Sequence, residues 1–193
     1  MRSSSSKLEA LKRLVQETRA RNSSAKFVVF SQFIPLLTQV RHALNEVLPH
    51  PTGGGSKLLR VGKQGSEAIA AFRNDPLCAV LCVCTRAGHG SAGLNLTNAQ
   101  HVVLLEPSMD VGMEAQAVGR VHRLGQKSEV TVHRLHATDT VEEHILKLQE
   151  RRRSLYEVNE KDGVGELITD AHTWECLEAF GLLAEAERAT HVW

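Results

Sequence analysis

The sequence predicts an α/β fold in which a mostly parallel sheet carries helices on both faces. Three observations lead there. Short, almost wholly apolar runs recur along the chain: KFVVFS at 26–31, AVLCVC at 79–84 and HVVLLE at 101–106. Strands apolar on both sides belong to parallel sheets that are covered twice. Stretches of helical spacing lie between these runs, and 193 residues are enough for one core and its flanking elements.

Taken in order, Leu8, Leu11, Leu14 or Val15, and Thr18 follow a serine run at helical spacing and predict an amphipathic helix over 5–21. KFVVFS is a short buried strand. Leu36, Leu37, Val40, Leu44 and Val47 continue as a helix with Pro35 in its first turn, a position proline tolerates. PHPTGGGS (49–56) reads as a flexible loop and KLLRV (57–61) as a strand. Ser66–Arg73 is a helix with Ile69 and Phe72 inward, then AVLCVC and HVVLLE are strands. Residues 110–123 read as a helix that carries GRVHR, and EVTVHRL (129–135) alternates as a strand does. Thr140–Val158 is a long helix with Val141, Ile145, Leu148 and Leu155 on one face, and a tail helix is expected near 171–189. In such sheets ligands sit at the carboxyl ends of the strands, which directs attention to 31–33, 85–93 and 106–110.

Composition removes several classes. At 42% hydrophobic and 23% charged, the chain is neither disordered nor collagenous. No run approaches the ~18 apolar residues of a membrane span, and MRSSSSKLEALKRL lacks the apolar stretch of a secretory signal. An intracellular setting without a membrane partner is expected. The net charge of +1 hides an asymmetry: residues 1–156 carry 21 Lys/Arg against 13 Asp/Glu, and 157–193 carry 2 against 9. A basic body suits an anionic partner. Cys78, Cys82, Cys84 and Cys176 lack the paired spacing of a zinc site and read as small buried hydrophobes, so no metal site is expected.

Two motifs are decoys. GHGSAG (88–93) matches G-x-G-x-x-G, but Thr85-Arg86-Ala87 separate it from the strand, and seven residues before His101 leave little room for a crossover helix. GKQGS (62–66) has Gln64 where a phosphate loop needs Ser or Thr. The chain also has no D-E-x-[HD] sequence, so it does not hold a complete nucleoside triphosphatase. QAVGRVHRLGQ (116–126) is stronger: Arg120 and Arg123, three apart on the expected helix, share a face and form an anion clamp. A solvated basic helix end is the competing reading.

QAVGRVHRLGQ resembles motif VI of the Swi/Snf-type ATPases of helicase superfamily two. KFVVFSQF (26–33) resembles motif IV, and TRAGHGSAGLNLTNAQHVVLLEP (85–107) resembles motif V with its following strand. VHRLHATDTVEEHILKLQERR (132–152) resembles the segment after motif VI, where a brace-like helix begins. The resemblance covers about 25–153 and implies a single RecA-like lobe with flanking N- and C-terminal helices. The corresponding domains are a lead-in helix over 1–24, a RecA-like helicase C-terminal domain over 25–158 and an acidic helical tail over 159–193.

Departures are local. Motif V is two residues longer around His89–Ala92, the D-G and Arg before it are replaced within RVGKQGSEAIAAF (60–72), and Glu106-Pro107-Ser108-Met109-Asp110 replaces the acidic-Pro-Trp-Asn-Pro stretch. HVVLLEP and GLNL are similar to the SHPRH-type branch, which carries a RING finger and acts as a ubiquitin ligase. The resemblance implies an ATP-dependent DNA translocase or chromatin-remodelling motor of which this is the second lobe, inactive without the first. ATP and Mg²⁺ are then held mainly by the missing upstream lobe. Arg120 and Arg123 are implied as arginine fingers, with Gln116, Gly93 and Asn95 near the nucleotide. Ser31, Thr85 and Arg86 are implied as DNA-backbone contacts, although Ser31 also suits a helix cap and Thr85 a turn. Implied partners are double-stranded DNA or a nucleosome, the upstream ATPase lobe and RING/ubiquitin machinery, in the nucleus. The alternative is a freestanding lobe serving as a protein- or DNA-docking module.

Overall fold

The computed structural model describes residues 5–48, 50, 54–59, 63–86 and 93–162. The motif V insertion at His89–Ala92 and the tail beyond residue 162 lie outside them. The chain forms two compact units, one comprising residues up to Glu106 with Gly112–Leu135, the other Pro107–Val111 with the chain from His136 on.

The first unit is built on five parallel strands: β1 (Phe27–Ser31), β2 (Ser56–Leu58), β3 (Val80–Cys84), β4 (His101–Leu104) and β5 (Thr131–Arg134). Their order is β2-β3-β1-β4-β5, and every neighbouring pair is parallel. β1 and β3 are buried along their whole length, which is why their residues are apolar without alternation. Phe27 and Val29, with Val80, Cys82 and Cys84, face α1 (Ser6–Arg21) and α2 (Ile34–Val47), which contribute Leu11, Val15, Leu37, Val40 and Leu44. Val28, Phe30, Leu81 and Val83 face the opposite layer, where α3 (Lys63–Asn74) brings Ala68 and Phe72 and α4 (Val111–Gly119) brings Ala117. The period-two split of each strand thus feeds two cores. Cys78, Cys82 and Cys84 are buried and free, and burial pushes the Cys82 thiol up to about 12.

Boundaries differ from expectation where polar groups decide them. β2 starts at Ser56 because that residue is pinned. Its N–H donates to Asn45 Oδ1 at 2.7 Å and its hydroxyl donates to Arg41 O at 2.9 Å. The glycine before it is not simply flexible. A Cβ at Gly55 would stand 2.6 Å from Leu48 Cβ, and Gly55 O accepts the N–H groups of Ala79 and Val80. Glycine is what allows that close approach.

A cation enters the core. Lys26 lies immediately before β1, 9% exposed, and its ammonium donates to Phe72 O, to Asp75 O at 2.8 Å and to Cys78 O at 3.1 Å. It sits 5.0 Å from the Phe72 ring centroid. The carbonyls at the end of α3 are thereby given a cation, where the helix dipole favours one. Burial lowers the Lys26 pKa.

On the α1 side, His101 stacks on Phe27 with ring centroids 4.7 Å apart, and its Nδ1 lies 3.3 Å from His133 Nε2. Burial lowers the pKa of both histidines, and the charge of His133 adds to the effect on His101. The sign follows. Above the ordinary histidine pKa of about 6.5 both states of the chain are neutral. Below it the unfolded chain takes up protons that the folded pair resists, so stability falls with pH from there down to the depressed folded values. Urea midpoints at pH 7.5 and 5.5 are expected to differ less for His133→Gln than for the native chain. Equal pH dependence would show that the pair contributes nothing.

In the second unit, α5 (Val141–Asp162) runs four residues beyond the expected end at Val158. Glu142 accepts the Ala137 N–H at 2.8 Å, Glu143 accepts the Asp139 N–H at 3.3 Å, and Thr140 Oγ1 accepts the Glu142 N–H at 3.3 Å, which together fix the helix start. Gln149, 5% exposed, donates to Ser108 O at 2.6 Å.

Candidate nucleotide cleft

Parallel strands leave a crevice at their carboxyl ends, and here it lies past β1 and β3. The ladder persists one step beyond β3, with the Thr85 N–H donating to Ser31 O at 3.0 Å. Met113, Gln116 and Ala117 approach from α4, spaced i, i+3 and i+4 and so on one stripe, and Arg120 approaches from the turn that follows. With Phe30 and Thr85 they line an open cleft. The lining offers a guanidinium, an amide and a hydroxyl over an apolar floor.

The helix that carries the arginines is shorter than expected. α4 ends at Gly119, and Arg120 and Arg123 follow in a turn rather than on one helical face. The Arg120 N–H donates to Ala117 O at 3.3 Å, an i→i+3 bond that tightens the end, and glycine is a poor helix former. Gly125, at φ +102, closes the turn in the left-handed region. The turn is stapled to the segment after motif V: Leu96 N–H donates to Arg120 O at 3.0 Å and Gln126 Nε2 to Ala99 O at 2.8 Å. Burial lowers the Arg120 pKa, and the like charge of Arg123 lowers it further. Two cations held this close are relieved by an anion.

Of the residues singled out from sequence, Thr85, Gln116 and Arg120 therefore meet in one cleft. Arg123 is exposed beside it, near enough for its charge to act on Arg120. Gly93, at φ +70, and Asn95 are not among the lining residues. Asn95 Oδ1 accepts the Thr97 N–H at 3.2 Å, and its carbonyl accepts from Arg73 at 2.7 Å. Ser31 is 2% exposed and its Oγ accepts the Phe33 N–H at 3.0 Å, just ahead of α2. Arg86 is exposed immediately past β3. The sequence reading did not include Phe30 and Met113 in the cleft. Met113 was findable, being one turn before Gln116 on the same stripe.

Residues 6–125 match the family described as helicase conserved C-terminal domain. DNA repair protein rad8 of Schizosaccharomyces pombe is 38% identical over 147 residues, 76% of this chain and 12% of rad8. The helicase-like transcription factor of Homo sapiens is 34% identical over 155 residues, 79% of this chain and 15% of that protein. Among solved structures, the C-terminal part of the Fun30 ATPase domain superposes with a TM-score of 0.58 at 31% identity, over 74% of this chain and 44% of that one. The SWI2/SNF2 ATPase core domain of Sulfolobus solfataricus also gives 0.58, at 26% identity, over 85% of this chain and 32% of that one. The chain belongs to the helicase conserved C-terminal domain family, in its Swi2/Snf2 branch, and its sheet is a RecA-like lobe. It spans only a small part of the length of its curated relatives.

Proposed function

We propose that this chain is the second lobe of an ATP-driven DNA translocase, and that it supplies the arginine side of a nucleotide site shared with an upstream ATPase lobe. The observation that carries the reading is the meeting of Thr85, Gln116 and Arg120 in one cleft, with the Arg123 charge beside it. Its donors suit the oxygens of a polyphosphate. Among the described residues no carboxylate lines the cleft, and on this reading magnesium would be held by the other lobe. Arg120 and Arg123 act as fingers that stabilise charge on the transferring phosphoryl group, Gln116 orients the nucleotide, and Gly93 and Asn95 flank it from the motif V side.

DNA contact is assigned to the same end of the sheet. Arg86, exposed just past β3, offers a guanidinium to the backbone, Thr85 borders both that contact and the cleft, and Ser31, buried with its Oγ accepting the Phe33 N–H, serves the contact by holding the start of α2. Such contacts position a duplex without reading bases, as a translocase or nucleosome remodeller requires. Relatives named for DNA repair and chromatin support a nuclear setting, and the SHPRH-like sequence features support a ubiquitin-ligase context. The lead-in helix, lobe and acidic tail at 1–24, 25–158 and 159–193 remain the proposed division of the chain.

The reading is tested by joining the chain to its upstream lobe and measuring ATP turnover. Turnover is expected only with both lobes and to rise on adding duplex DNA. A rate indifferent to DNA would overturn the translocase reading. Duplex affinity of the joined protein is expected to fall with salt. Arg86→Gln should reduce the log–log slope by about 1, the value of one lost phosphate contact.

A further inference from the structure

α4 has a second stripe beside the one that faces the cleft. Glu114 is buried on it, Ala117 is buried at the border of the two, and Val121 is buried in the turn that follows. Two of the three are small. Val118, on the same helix, adds only a partly buried contact with the core beneath it. The third is a carboxylate: the Glu114 side chain is 7% exposed, and its Oε2 accepts a hydrogen bond from Arg134 Nε at 3.2 Å. Arg134 ends β5 and is paired in register with Leu104 of β4, so its backbone is fixed to the sheet. A charged hydrogen bond between a fixed strand and a helix is directional where the apolar contacts are not.

We propose that Glu114 and Arg134 form a positioning pair that sets the rotation of α4 against the sheet and thereby aims Gln116 and Arg120 into the cleft. Neither residue of the pair lines the cleft, so the pair acts through the helix. The kinetic consequence rests on the nucleotide reading above; the geometric one does not.

The test uses Arg134→Met, which keeps the aliphatic stem and removes the guanidinium, and Glu114→Gln, which keeps the shape and removes the charge. In the 193-residue chain, NMR signals of the Gln116 amide and the Arg120 Nε–H are expected to move in both variants. The amides of Val28 and Leu81, in the centre of the sheet, are expected to stay in place. In the joined two-lobe protein kcat should fall about 10²-fold, the scale of a 1 Å misplacement, with KM for ATP little changed. Arg134→Lys, which restores a cation, should recover part of the loss. Unmoved Gln116 and Arg120 signals would overturn the proposal, and so would shifts spread evenly through the sheet. If Arg120→Ala leaves turnover intact, the nucleotide reading fails while the NMR outcome still decides the positioning.

Discussion

Replacing Arg120 by alanine in the joined two-lobe protein is expected to lower ATP turnover by about 10³–10⁵, the span attributed to an arginine finger, while ATP binding is largely kept. Arg120 lines the cleft from just past the end of α4, and on the proposed reading it would meet a nucleotide from the side opposite an upstream lobe. On that reading ground-state phosphates would be gripped mainly by the other lobe. The arginine matters as charge moves onto the transferring group. The expected split is therefore in kcat, with KM nearly constant. Arg120→Lys should remain poor, because an ammonium lacks the planar fork that spans two oxygens. Arg123→Ala should also slow turnover if it is the second finger that motif VI implies. Native turnover in Arg120→Ala would sink the assignment of the cleft.

The second large effect concerns stability. Lys26→Met removes the ammonium while keeping most of the stem that packs on Phe72. The three carbonyls it serves do not suffer equally. Phe72 O still accepts from Asn98 Nδ2 at 3.1 Å, and Asp75 O from the Cys78 N–H at 3.2 Å. Cys78 O loses a charged donor that reaches it at 3.1 Å. One buried acceptor stripped and two charged hydrogen bonds lost, offset by the ammonium no longer being desolvated, give an expected cost of about 2–3 kcal/mol. For a chain of this size that is a fall in Tm of roughly 4–12 °C. Lys26→Arg should lose less, because it keeps a cation for these carbonyls. A Lys26→Met chain melting with the native one would mean that desolvation cancels the three bonds.

The two cases mark what sequence reveals and what it hides. β1, β3 and β4 were legible because four or five consecutive apolar residues have few alternatives once both faces must be covered. α1 and α2 were legible because their apolar positions recur at one period. Termini were harder. Arg120 and Arg123 looked like neighbours on a helical face, but Gly119 and an i→i+3 bond end the helix before them. β2 begins where Asn45 and Arg41, distant in sequence, capture Ser56. Lys26 gives no signal at all: its acceptors are backbone carbonyls 46 to 52 residues away, and a carbonyl has no residue type. Glu114 and Arg134 are hidden for a related reason, since charge on a helix is ordinarily read as solvated. In the cleft, residue types were legible from motifs, whereas the grouping of Thr85 with Gln116 and Arg120 depends on the parallel order of strands.

That strand order also governs how the chain is made. β1 occupies the middle of the sheet, with Phe27 paired to Val80 on one side and to His101 on the other. During synthesis neither neighbour exists when β1 leaves the ribosome, and at roughly 5–20 residues per second the wait lasts several seconds. Throughout that interval Phe27-Val28-Val29-Phe30, the most apolar backbone in the first quarter of the chain, has both edges unpaired. An apolar segment of high strand propensity in that state is a nucleus for aggregation. Newly made chains are thus most vulnerable before β4 emerges, and a ribosome stalled between β2 and β4 should release insoluble product where one stalled after β5 does not.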